Sequence, residues 1–252
     1  MITDVHERRL IITSDTHIGN LFCEARPGFI RLLDHARATG YNVCINGDGI
    51  DVLQTSVSRM TSETPVLLRE FRRIAADITI YYTVGNHDII LEHCLGDWGG
   101  LHFVPFLNVT SGSKRIRIEH GHLYDHFLMQ HPEWAPRLTR LIGFCCRMHP
   151  RLYRLDEFFK TVRHRHVGKW FGNGTGRRLP GQRDDESPSF LEAAEELAQR
   201  GFDYVIFGHT HHEGVIPLNN DQSAYINPGG WFRQPHYITV TDGAVELKPW
   251  SG

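Results

Sequence analysis

Four short apolar runs in this chain each end abruptly in a cluster of acidic, amide or imidazole side chains. Leu10–Thr13 runs into Ser14-Asp15-Thr16-His17, and Tyr41–Ile45 into Asn46-Gly47-Asp48. Ile78–Val84 runs into Gly85-Asn86-His87-Asp88, and Tyr204–Phe207 into Gly208-His209-Thr210-His211. Continuous apolar runs of this length read as strands buried on both faces. Helical periodicity separates the early ones. Pro27–Thr39 puts Phe29, Leu32, Leu33 and Ala36 on one face, and Glu63–Ala76 does the same with Leu67, Phe71 and Ile74. Strand–helix–strand alternation implies α/β layering with parallel strands. In such sheets ligands bind beyond the carboxyl ends of the strands, which is where every polar cluster falls.

Later segments read differently. Ile116–Glu119, Ser223–Ile226 and Tyr237–Thr241 have strand character, and Thr241-Asp242-Gly243-Ala244 reads as a tight hairpin turn into Val245–Leu247. A second, more antiparallel sheet packed on the first is expected. Residues 122–186 fit neither pattern. Between Arg137 and Arg183 there are twelve Lys and Arg against two acids, Asp156 and Glu157, a local charge of +10. The whole chain carries −2, so the remainder carries −12. Such asymmetry is hidden by the overall balance. We expect a single domain, 1–252, interrupted by a basic, helical insertion over 122–186. The insertion could be a helical hairpin with a solvated basic face, or a lid in which Arg137, Arg140, Arg163, Arg165 and Lys169 meet an anionic substrate.

Composition narrows the class. At 252 residues the chain is long enough to bury a large core without covalent staples. Its five cysteines include an adjacent pair, Cys145–Cys146, and no CxxC, which argues against a disulfide framework or a thiolate zinc site. No apolar stretch approaches the roughly 18 residues of a membrane span, and the N-terminus lacks the apolar run of a signal peptide. A cytoplasmic protein is expected, at most peripheral to the inner membrane face through the basic insertion. The acidic remainder offers no continuous groove for a nucleic-acid backbone.

The metal-capable residues at the strand ends are Asp15, His17, Asp48, Asn86, His87, His120, His209 and His211. Asp15/His17 and His209/His211 are spaced i, i+2, so on extended backbone each pair points one way. Mixed carboxylate, amide and imidazole donors suit Mn²⁺, Fe²⁺ or Zn²⁺. One carboxylate can bridge two ions about 3.5–4 Å apart, the spacing of two-metal phosphoryl-transfer sites. A lone strand-end histidine is ordinarily a hydrogen-bonded structural residue. Five such motifs in order are a different matter.

Together, Asp15-Thr16-His17, Gly47-Asp48-Gly49-Ile50-Asp51, Gly85-Asn86-His87-Asp88, His120-Gly121 and Gly208-His209-Thr210-His211 resemble the calcineurin-like metallophosphoesterase superfamily. The resemblance implies a four-layer α/β/β/α sandwich and a dinuclear centre, with Mn²⁺ the expected ion and Fe²⁺ or Zn²⁺ accepted. It implies one ion on Asp15, His17, Asp48 and His211, and a second on Asp48, Asn86, His120 and His209, bridged by Asp48. Length, insertion and the stretch Tyr225–Trp231 look most like the UDP-2,3-diacylglucosamine diphosphatases, with Gly230 where that family has Asp and His87 where its best-known members have Arg. The resemblance implies hydrolysis of a phosphoester or pyrophosphate in a phosphorylated small molecule or nucleotide-linked lipid.

His87 directly follows Asn86, and an imidazole there suits a general acid or phosphate donor. Asp51 and Asp88 suit outer positions that orient histidines or backbone. Helix capping is an equal reading for Asp51. His122 and His126 read as pocket rim or solvent-facing. Two other functions compete: a general phosphodiesterase or phosphomonoesterase, and a scaffold that kept the fold and lost catalysis. All seven ligand positions are intact, which disfavours the scaffold.

Overall fold

The computed structural model describes residues 3–252 apart from 21, 132, 135, 136, 142, 143, 145–185, 220 and 233. In chain order the strands are β1 (Asp4–His6), β2 (Arg9–Thr13), β3 (Asn42–Asn46), β4 (Ile80–Thr83), β5 (Gly96–Asp97), β6 (Leu101–Val104), β7 (Leu107–Ser111), β8 (Lys114–Ile118), β9 (Tyr204–Ile206), β10 (Gly214–Leu218), β11 (Ser223–Asn227), β12 (His236–Thr241) and β13 (Ala244–Pro249). The helices that matter here are α1 (Ala25–Thr39), α2 (Val57–Ile74), α3 (His126–Gln130) and α4 (Pro188–Gln199).

The strands form two sheets. One runs β13-β12-β2-β3-β4-β6-β5 and the other β1-β7-β8-β9-β11-β10. In the first, β2, β3, β4 and β6 are mutually parallel. Their central residues are apolar apart from His102 of β6, which lies beside the edge strand β5, as strands covered on both faces require. The hairpin closes with Thr241 opposite Ala244, and Asp242 and Gly243 both at positive φ, the geometry of a two-residue primed turn.

The second sheet departs from the antiparallel expectation. β7–β8 and β10–β11 are antiparallel, but β1–β7, β8–β9 and β9–β11 are parallel. For β8–β9 the reason is the long connection between them, which contains α4 and returns the chain to the same end of the sheet. Parallel neighbours need such a crossover.

Helix boundaries also differ. α2 begins at Val57, six residues before Glu63, because Ser56 caps it by accepting from Arg59 N. Pro65, a residue that favours a first turn, therefore sits inside the helix.

Three apolar clusters hold these elements together. The first joins Phe29, Leu32 and Leu33 of α1 and Leu67, Phe71 and Ile74 of α2 to Ile11, Val43 and Tyr82 of the first sheet. The second joins Leu10, Ile12, Cys44 and Ile238 of that sheet to Val109, Ile116, Ile206 and Ile226 of the other. The third joins Phe190, Leu191, Ala194 and Leu197 of α4 to Val205 and Tyr225. Each strand thus buries alternate side chains against different neighbours. Among the described residues no helix is long and apolar enough to cross a membrane.

Ile206 is fully buried in the second cluster. Replacing Ile206 with Ala should cost about 2–5 kcal/mol, read as a lower midpoint in urea unfolding with an unchanged slope.

Candidate metal centre

The carboxyl ends of β2, β3 and β4 in one sheet meet the ends of β8 and β9 in the other, and the polar motifs meet there. Backbone hydrogen bonds lock the loops together. Asp15 N donates to Gly47 O (3.2 Å), His17 N to Asp48 O (2.8 Å) and Gly208 N to His120 O (3.1 Å). Asn46 ties the sheets to each other. Its Nδ2 donates to Glu119 O (3.0 Å), while its carbonyl accepts from Ser14 Oγ (2.6 Å) and lies 3.0 Å from His120 Nδ1. That contact assigns the Nδ1 proton to the carbonyl and leaves His120 Nε2 as an electron-pair donor facing inward.

Two donor clusters share one carboxylate. In the first, His17 Nε2 lies 3.2 Å from His211 Nε2, and Asp15 Oδ1 lies 3.1 Å from His211 Nε2 and 3.7 Å from His17 Nε2. In the second, Asn86 Oδ1 lies 2.8 Å from His209 Nδ1 and 3.3 Å from His120 Nε2. Asp48 Oδ2 stands between them, 3.3 Å from His120 Nε2 and 3.8 Å from His17 Nε2. Donors about 2.1 Å from a shared ion are about 3.0–3.4 Å from one another in octahedral or tetrahedral arrangements. The observed spacings fall around that range. Asp15 Oδ1 is buried and accepts no hydrogen bond, an orphan atom of the kind an ion satisfies. Among the described residues, the groups of three donors able to hold a metal all lie here: Asp15/His17/His211, His17/Asp48/His87 and Asp48/His120/His209. The residues therefore fit a pair of divalent cations.

The electrostatics agree. Burial pushes the Asp48 carboxyl up, but the charges of His120 and His87 and the His120 hydrogen bond overrule it and hold it far below the usual carboxylate range. Burial likewise opposes ionisation of Asp15, and the charges of His211 and His120 hold it well below its ordinary value. Burial lowers the His17 imidazole, but the carboxylates of Asp15, Asp51 and Asp48 beside it lift it to about 10. His120, against its own burial, is lifted to about 9 by Asp48 and Asp15. The cavity thus favours positive charge at its centre, which protons on imidazoles or cations can supply.

Backbone geometry marks the same residues. Asp15, His17, Asp48, His209 and His211 all have φ between 43° and 67°, a region that residues other than glycine seldom enter. Close approach explains two motif glycines. A Cβ on Gly85 would sit 2.2 Å from Asp48 Oδ1, and one on Gly208 would sit 2.0 Å from Ser14 Oγ and 2.5 Å from Asp15 Oδ2.

Around this centre, Asp51 Oδ2 lies 3.4 Å from His17 Nδ1 and 3.2 Å from His87 Nδ1, while Asp51 Oδ1 accepts from Gln54 N (2.7 Å). Support of the histidines and capping of the local turn thus coexist in one carboxylate. His87 packs edge-on against His17 with ring centroids 4.7 Å apart. Asp88 touches no histidine. It accepts from Gly85 N (2.7 Å), Gly49 N (3.0 Å) and Tyr82 OH, and burial with the nearby Asp48 charge pushes it up to about 6. His126 is exposed and His122 half-buried. Burial, with the charges of His120 and His209, drives His122 down to about 3. Arg137 and Arg140 are exposed, Arg137 lying over the Trp134 ring. Arg163, Arg165 and Lys169 lie outside the described residues, as does most of 122–186.

Sequence reasoning missed several neighbours. Asp125 Oδ2 lies 3.1 Å from His209 Nε2, which turns His209 Nδ1 toward Asn86. Phe232 stacks on His211, with centroids 5.7 Å apart. Glu186 is buried and accepts from Thr210, Tyr225 and Asn227. No motif spacing flags Glu186 or Phe232. Asp125 sits five residues past His120, a position whose only sequence signal is proximity.

A site of carboxylate, amide and imidazole donors at the carboxyl ends of two facing sheets defines a class of metal-dependent phosphate-ester hydrolases. The calcineurin-like phosphoesterase profile matches residues 8–213, and this chain belongs to that family, as a metal-dependent phosphoesterase. No curated relative matches it. Among solved structures it is similar to a novel archaeal phosphodiesterase, with 16% identity over 96% of this chain and 99% of that one and a TM-score of 0.48. It is also similar to YfcE, a phosphoesterase from E. coli (15% identity, 96% and 100% covered, TM-score 0.43), and to vacuolar protein sorting 29 from Cryptosporidium parvum (14%, 96% and 96%, TM-score 0.45).

Substituting Gly85 with Ala should force Asp48 out of place. We expect divalent-ion binding about 10–100-fold weaker, measured by calorimetric titration, in a chain whose far-ultraviolet circular dichroism is unchanged.

Proposed function

We propose that this phosphoesterase works with two divalent cations. Asp15, His17, Asp48 and His211 would hold one, Asp48, Asn86, His120 and His209 the other, and Asp48 would bridge them. The observation that carries this reading is the position of Asp48 Oδ2 between the two donor clusters. Mn²⁺ is the ion we favour, with Fe²⁺ or Zn²⁺ compatible with the same donors. When bound, such a pair lowers the pKa of water and neutralises phosphoryl oxygens.

The chain's own residues do the rest. Asp51 aligns His17 and His87 together. With its Nδ1 facing Asp51, His87 keeps Nε2 for the substrate, where it donates to a phosphoryl oxygen or protonates the leaving oxygen. Asp125 fixes the ring orientation of His209. The three apolar clusters support reading the fold as a four-layer α/β/β/α sandwich in one domain, 1–252, with 122–186 as a basic lid. The lid's excess of arginine and lysine, Arg137, Arg140, Arg163, Arg165 and Lys169 included, suits a diphosphate.

We therefore read the substrate as a phosphoester or pyrophosphate of the UDP-2,3-diacylglucosamine type, met in the cytoplasm at the inner membrane face. Nucleic acid is not a partner in this reading. The tests are direct. Asp48→Ala should abolish both the uptake of two ions and turnover, and retained activity would remove the bridge. His87→Ala should lower kcat by about 10²–10⁴-fold with both ions retained, and an unchanged kcat removes it from the reaction. Faster hydrolysis of a diacyl nucleotide-sugar than of aryl phosphate mono- and diesters supports the lipid reading. The reverse order makes the chain a general phosphoesterase.

A further inference from the structure

The His209-Thr210-His211 turn has two sides. His209 Nδ1 faces Asn86 (2.8 Å) and His211 Nε2 faces Asp15 (3.1 Å), both toward the candidate ions. The side chain between them faces the other way. Thr210 Oγ1 donates to Glu186 Oε2 (3.0 Å) and accepts from Asn227 Nδ2 (2.9 Å). The same Glu186 oxygen accepts from Tyr225 OH (2.7 Å) and lies 3.4 Å from Asn227 Nδ2, while Oε1 accepts from Ser187 N (2.9 Å). Asn227 also donates to Gly208 O (3.2 Å), so the network grips the turn at two residues.

Every partner of Glu186 named here is a donor, and the residue is 8% exposed. A carboxylate accepts four such bonds; a glutamine must turn an N–H toward one of the donors. Burying a carboxylate is costly even when donors surround it, and the described core has no need of it: α4 is fastened by its own apolar face. The turn does need it. His209 and His211 hold φ of 67° and 60°, and strained backbone persists only where surroundings over-determine it.

We propose that Glu186 is a positioning residue for the ion pair. Through Thr210 it fixes the backbone of the turn so that His209 and His211 present their nitrogens to different ions at once. The proposal rests on the two-ion reading above. It extends that reading to a carboxylate that touches neither ion and lies where the 122–186 insertion rejoins the sandwich.

The test is Mn²⁺ titration followed by electron paramagnetic resonance and calorimetry, on chain stripped of ions, for the unaltered protein, Glu186→Gln, Thr210→Val and the double variant. Tyr81→Phe serves as a control, since it removes a hydrogen bond to a partly buried carboxylate, Glu7, far from the turn. We expect Thr210→Val and Glu186→Gln each to weaken ion binding about 10-fold, the double variant to be no weaker than the worse single, and Tyr81→Phe to lose stability with unchanged affinity. Thr210→Val swaps a hydroxyl for a methyl and decides the matter if Glu186→Gln does not fold. Unchanged affinity in Thr210→Val overturns the proposal, and so do effects that multiply in the double variant. An unaltered protein that takes up no pair of ions overturns the two-ion reading instead.

Discussion

The structure depends on one carboxylate placed where two sheets converge. Asp48 could not stay ionised in so buried a position on its own, because removal from water favours the neutral acid. It stays ionised because imidazoles from both sheets surround it. The sandwich supplies these from separate stretches of chain, His17 after β2 and His87 after β4 in one sheet and His120 after β8 in the other. Apolar packing sets the distance between the sheets, and that distance sets whether the donors of His17 and His120 can both reach the same oxygen. Core and chemistry are therefore coupled through geometry, and directly where Phe190 of the third cluster stacks on His209.

Much of this was legible in the sequence because strand ends announce themselves. An apolar run that stops at a carboxylate or imidazole marks both a buried strand and the edge where it emerges, and β2, β3, β4 and β9 all fit that reading to within two residues at either end. The i, i+2 spacing brought Asp15 and His17 into one cluster, but on left-handed and not extended backbone, and His209 and His211 divide between the two clusters instead of pointing one way. What was not legible has physical reasons. The parallel β8–β9 pairing depends on how a long connection travels, which local pattern does not encode. The start of α2 depends on a serine cap, Ser56, seven residues before Glu63, where the helical periodicity becomes readable. β1 and β5 are edge strands of three and two residues, too short to show a period, and β10 is an edge strand interrupted by Pro217.

The supporting carboxylates divide along the same line. Asp51 and Asp88 lie inside motifs and could be singled out. Asp125 and Glu186 gain their places from tertiary contact: one meets His209 from the segment after His120, the other meets Thr210 from two residues before α4. A sequence reports a carboxylate but not what it faces. The basic stretch over 137–183 illustrates the reverse case, in which charge is plain in the sequence while its target is not.

The left-handed backbone at five donor residues has a consequence for how the centre is assembled. Holding such conformations costs on the order of 1 kcal/mol each, against a total folding stability of about 5–15 kcal/mol for an ordinary domain. That cost falls on folding, not on ion capture. Because the fold over-determines these conformations, ordering the loops adds little to the cost of holding a cation. A rigid cage of this kind discriminates among ions by size and preferred angles, and it leaves mutations deep in the sandwich able to alter ion selectivity without changing a single coordinating atom.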